Sequence, residues 1–152
     1  MKIKNFELHD ETVMEIGKFA ILWNMFEKKY CNNNYSPRAL KSIISNIDIN
    51  KDAMNIFANE LDDRRCWFNM LVPEYARLSL HPGNARLSNK EDIDIMVRFI
   101  NKEEGDNILG CLLIIARIRN NLMHGLKIAE QLDDQIELFK AANLVLESIN
   151  EK

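Results

Sequence analysis

Between Ile108 and Ile118 the chain is apolar except for Gly110 and Arg117. A helix made from such a stretch has no polar face to give to water, so other parts of the protein must surround it. The run is about half of the roughly 20 residues that a bilayer crossing needs. It therefore predicts a buried central helix, not a membrane span. The scarcity of turn-formers points to the same architecture. Five glycines and three prolines in 152 residues are too few for the many tight turns of a β-sandwich. The chain is long enough for one domain with a single core, and 47% hydrophobic with 28% charged residues is a globular composition. The expectation is an all-α fold: a single-domain helical bundle of about five to six helices over residues 1–152, without strands.

Caps and periodicity place the helices. The first is expected from Asp10, as N-cap, to about Tyr30, with Glu11 in the first turn where a negative charge suits the helix dipole. Its apolar residues, among them Met14, Phe19, Ile21, Trp23, Met25 and Phe26, cover more than one face, which points to burial on several sides and to packing of one part against a second copy. Cys31 to Asn34 ends it. Ser36-Pro37 opens a short helix to about Asn46. The next is expected from Asn50 to about Leu71, broken by Pro73, with a further turn over residues 74–80. His81-Pro82-Gly83-Asn84 is a turn. Ser88 with Glu91 forms a capping box before a helix bearing Ile93, Met96, Val97 and Ile100, closed by Gly105. Asp106 caps the apolar helix from Asn107 to about Met123. A last helix is expected from Leu132 to Ile149, with its stripe on Ile136, Phe139, Ala142 and Leu146.

Several chemistries are disfavoured. Cys31, Cys66 and Cys111 are odd in number and widely spaced, which fits reduced structural thiols and not a disulfide framework or zinc site. His9, His81 and His124 are far apart, so no metal is expected, and no glycine-rich phosphate loop or other cofactor signature is present. A net charge of −3 argues against a broad electrostatic coat for nucleic acid, though not against a local basic pocket. The start carries charges early and lacks a secretory pattern, so the expected location is the cytoplasm, with no membrane association. Trp23, Phe26, Trp67 and Phe68 read as core or interface aromatics, not base-stacking platforms. Glu27 reads as solvated or salt-bridged, and Arg64-Arg65 as a solvated stripe.

One segment is not explained by packing. The apolar helix ends in Arg117-Ile118-Arg119-Asn120-Asn121-Leu122-Met123-His124-Gly125, and burying such polar groups without partners is costly. They must face solvent, a cavity or another chain. Asn120 and His124, four apart, share a face. Arg119 and His124, five apart, diverge by roughly 140° on a straight helix. Either the helix breaks near Gly125 and swings the imidazole round, or the two groups belong to a site completed by a symmetry mate. The plain alternative is a helix C-terminus favouring a polar residue, with Arg119 an ordinary surface arginine.

Arg119 to His124, with four residues between the arginine and the histidine, a polar Asn120 after the arginine and Gly125 after the histidine, resembles the Arg-x(4–6)-His motif of HEPN domains. The rest of the chain is similar in outline only. The resemblance implies a homodimer and a metal-independent endoribonuclease whose paired motifs meet between subunits. It also implies a role in toxin–antitoxin or phage-defence systems, with an antitoxin or regulatory protein as a further partner. Other members are inactive and serve as binding or adaptor modules, which is the alternative here. On the active reading RNA is the substrate and Arg119, His124 and Asn120 are catalytic. Arg119 holds the phosphate, His124 moves a proton, and Asn120 orients the imidazole or holds a phosphate oxygen. Asn121, Lys127 and Arg117 are the expected RNA-binding residues.

Overall fold

The computed structural model describes residues 1–63, 90–123 and 129–152, with Asn121, Met123, Ala129 and Glu130 described by their backbone alone. Six α-helices lie among the described residues: α1 (Asp10–Cys31), α2 (Pro37–Ile43), α3 (Lys51–Asp63), α4 (Lys90–Ile100), α5 (Asn107–Met123) and α6 (Ile136–Glu147). α6 packs between α1 and α3, α4 packs along α5 and also meets α3, and α2 bridges α1 and α5. The fold is an all-α bundle, as expected.

Local chemistry explains most boundaries. The Ser36 hydroxyl accepts from the Ala39 N–H at 3.0 Å with Pro37 opening α2, and the Asn50 side chain accepts from the Ala53 N–H at 2.9 Å before α3. Both satisfy donors that a helix start leaves unpaired. α1 stops where Asn32 enters the left-handed region (φ 52°), a conformation asparagine tolerates better than most residues.

Other boundaries correct the expectations. Asp10 is the first helical residue of α1 and not its cap. The cap position is His9, which makes no side-chain capping bond; its N–H donates instead to the Asp133 carboxylate at 3.0 Å, so a long-range tie fixes the entry. The helix expected to reach Asn46 tightens at Ile44–Asn46 into a 3-10 turn. α4 is ended not by Gly105 but by a turn in which the N–H groups of Asn101, Lys102 and Glu103 fold back onto the Val97, Phe99 and Arg98 carbonyls, each at 3.0 Å. The last helix is divided, with a 3-10 stretch at Ala129–Gln135 before α6. Strands do occur: β1 (Lys2–Ile3) pairs antiparallel with β2 (Phe6–Glu7), and β3 (Ile47–Asp48) with β4 (Asn150–Glu151). Each is two residues long, too short to carry a period-two signal. Leu71, Pro73, residues 74–80, the His81 to Asn84 turn, Ser88, Arg64, Arg65, Cys66, Trp67 and Phe68 lie outside the described residues.

The core forms around α5. Leu109 and every residue from Cys111 to Ala116 are at most 7% exposed, so this helix is enclosed on all sides, as its composition requires. Phe19 and Phe139 meet edge to face, centroids 5.3 Å apart, and join α1 to α6. Phe57 and Phe99 join α3 to α4 at 6.1 Å. On α4 the buried set is Asp92, Ile95, Met96, Phe99 and Ile100, while Ile93 and Val97 are only half-buried. The true stripe is rotated from the expected one because Phe99 and Ile95 face α5. Among the described residues no helix is long and apolar enough to cross a membrane.

Candidate functional site

The polar end of α5 is the candidate site. Enclosure of the helix persists through Ile118, and Arg117, Arg119 and Asn120 are half-buried. These side chains leave the core at its edge, where a bundle can offer charge to a ligand without stranding it in an apolar interior.

Arg119 and Asn120 act together. The Arg119 Nη1 donates to the Asn120 Oδ1 at 3.1 Å. A flexible guanidinium is thereby steered by the amide next to it, and a guanidinium carries further donors in a fork that matches a phosphate or carboxylate. The amide oxygen of Asn120 is engaged by the arginine, an arrangement the sequence did not suggest. The remaining members of the motif, His124 and Gly125, lie outside the described residues, as do Lys127 and the side chain of Asn121.

Arg117 belongs to a different surface of the same helix. Two residues before Arg119, it is rotated by about 200°, and it comes close enough to Tyr35 to favour the ionised phenol. Tyr35 stands in a polar cluster that sequence reasoning missed. Burial, reinforced by the negative charge of Asp92, pushes the Tyr35 hydroxyl above its ordinary pKa, with Arg117 opposing. Glu27, expected to be solvated or salt-bridged, is half-buried and hydrogen-bonded. One carboxylate oxygen accepts from the Trp23 indole N–H and the other from the Tyr35 backbone N–H, both at 3.0 Å. Lys41 pairs with the buried Asp92 at 2.6 Å. The cluster draws on α1, α2, α4, α5 and the loop holding Tyr35. No local pattern announces it: apart from the Trp23–Glu27 bond within α1, the ties run between elements, from Glu27 to the Tyr35 loop and from Lys41 on α2 to Asp92 on α4.

The cysteines agree with a structural role. Cys31 and Cys111 are buried, and burial raises both thiols above their ordinary pKa, the reverse of what an activated nucleophile needs. No group of three metal-ligating side chains occurs among the described residues. An open groove of about 630 Å³ runs along α4, lined by Lys90, Glu91, Asp94, Val97 and Arg98; it contains none of the expected site residues.

Fold and site thus define an all-α bundle with a cationic, half-buried end to its central helix. Comparison with family models, with curated proteins and with solved structures returns no match.

Proposed function

We propose that the chain is a metal-independent endoribonuclease of the HEPN type, working as a homodimer in a toxin–antitoxin or phage-defence setting. The observation that carries this reading is the half-buried Arg119 guanidinium, steered by Asn120 at the end of an enclosed helix. RNA supplies its own nucleophile. The ribose 2′-oxygen attacks phosphorus, its proton leaves, the bond to the 5′-oxygen breaks, and that oxygen takes up a proton. The products are a 2′,3′-cyclic phosphate and a 5′-hydroxyl, with no water or redox partner consumed. Arg119 neutralises the phosphorane oxygens and His124 carries one of the two protons. The two residues diverge by roughly 140° on one straight helix, so a site shared between two copies suits them. Asn120 is the positioning residue for Arg119, and Asn121 and Lys127 are the proposed RNA contacts.

The test is cleavage of RNA by the purified chain in the presence of a chelator. Activity should persist in the chelator and vanish when the target ribose lacks its 2′-hydroxyl. His124→Ala should lower the rate by about 10²–10⁴-fold and Arg119→Ala by about 10²–10³-fold, both with unchanged helical content. A folded His124→Ala chain that cuts as fast as wild type removes the proposal. The net charge of −3 favours a second reading, a non-catalytic adaptor that binds a protein or nucleotide. On that reading wild type and His124→Ala are equally harmless when expressed in bacteria, and the purified protein leaves RNA intact.

A further inference from the structure

We propose that the outer face of α1 is the surface on which a second copy of this chain docks, with the two α1 helices running antiparallel. α1 has two apolar faces. Phe19, Trp23 and Phe26 enter the core and are at most 4% exposed, whereas Met14, Ile21 and Met25 are each 62% exposed. At about 100° per residue the exposed three fall within roughly 40° of one another, on the side of the helix away from Phe19 and Trp23. Single exposed apolar side chains are ordinary, but three aligned over about three turns form a stripe that a partner can cover.

Gly17 flanks this stripe, and no atom lies within 4 Å of the place its Cβ would occupy. A glycine inside a helix is destabilising, and nothing within the chain requires the space it leaves. A helix laid across the stripe would use it.

The charges identify that helix as another α1. Asp10 and Glu11 lie in the first turn, Lys28 and Lys29 in the last. Antiparallel pairing with Met14 opposite Met25 sets Ile21 of each copy over Gly17 of the other. Asp10 then lies level with Lys28 and Glu11 with Lys29, each couple on one flank of the contact, and the helix dipoles oppose one another. Parallel pairing would bring like charges together. The face is self-complementary, as a two-fold contact demands. Within the chain Glu11 already meets Lys140, and Lys29 meets Glu151 at 3.4 Å. These are exposed pairs that exchange partners readily.

The inference rests on the homodimer of the proposed function and names its face; because the stripe contains no residue of α5 and the test reads mass, not cleavage, failure of this contact and failure of the RNA chemistry are told apart. Analytical ultracentrifugation of the full chain at micromolar concentration should show a dimer. Ile21→Asp, at an exposed position, should raise the dissociation constant by about 100-fold or more with the helical circular dichroism unchanged; Met25→Lys provides the same test should Ile21→Asp unfold. Lys28→Glu should weaken the dimer, and adding Asp10→Lys should restore it. The proposal is overturned by a wild-type chain that remains monomeric, by a folded stripe variant that dimerises as wild type does, or by a double variant no tighter than Lys28→Glu alone.

Discussion

A Cβ on Gly110 would lie 2.8 Å from the Ile95 carbonyl oxygen and 2.9 Å from the Phe99 Cβ. Neither atom can turn aside, since one is helix backbone and the other is bonded to it. This glycine lets α4 and α5 approach as closely as they do. Gly110→Ala gains up to about 1 kcal/mol in helix propensity but forces the helices apart, which costs about 1–3 kcal/mol and more for a larger residue. The net expectation is a loss of stability in urea unfolding, growing from Ala to Val. Gly17 has open space where Gly110 has backbone, so Gly17→Ala, measured in the monomeric Ile21→Asp background, should stabilise the fold by about 0.5–1 kcal/mol. The sequence shows both as glycines within helices and gives no means of separating them. Contact with a second element decides the sign.

Elements were legible wherever their signal is local. Ser36-Pro37, Asn50 and the apolar run of α5 each announce a helix through their own chemistry, and the structure starts helices at those points. What stayed hidden depends on distant partners. His9 became the cap position of α1 because Asp133, far along the chain, receives its N–H. β3 and β4 are two residues each and exist only because the chain's last residues return to Ile47 and Asp48. In the candidate site, Arg119 and Asn120 were legible as a polar break in an apolar helix, whereas the cluster around Tyr35 was not. The tie between the 3-10 stretch and the start of α1 has a pH signature. Asp133 is held below its ordinary pKa of 3.8, first by the Thr12 hydroxyl, with burial opposing and the His9 N–H adding a smaller pull in the same direction as Thr12. A carboxyl with a depressed folded pKa stabilises the fold above its unfolded pKa and loses that contribution as pH falls through the folded one. Asp133→Asn should therefore be less stable than wild type at pH 6, and the difference should shrink on titration below pH about 4. A constant difference in urea midpoint across that range would show that the carboxylate charge is not what holds α1 to the 3-10 stretch.

At the scale of the whole molecule, a bundle that encloses α5 from Cys111 to Ala116 has placed its strongest apolar segment inside, yet α1 still shows water a second apolar face. If two chains meet there, folding and association are linked, because the dimer adds buried surface that the isolated fold lacks. Anything that binds only the folded state raises apparent stability with its concentration, and here the ligand is the chain itself. Each tenfold dilution then removes about 1.4 kcal/mol per mole of dimer from the free energy separating folded dimer from unfolded chains. The wild-type midpoint in thermal or urea unfolding should fall steadily on dilution, while Ile21→Asp should unfold at one midpoint at every concentration. The same comparison relates the two proposals without merging them. A composite Arg119 and His124 site formed through the α1 contact would make RNA cleavage fall with dilution in parallel with the dimer. A site complete within one chain would keep its specific activity after Ile21→Asp has abolished association. Measuring midpoint and specific activity on the same dilution series therefore reports whether the polar end of α5 works alone or needs its twin.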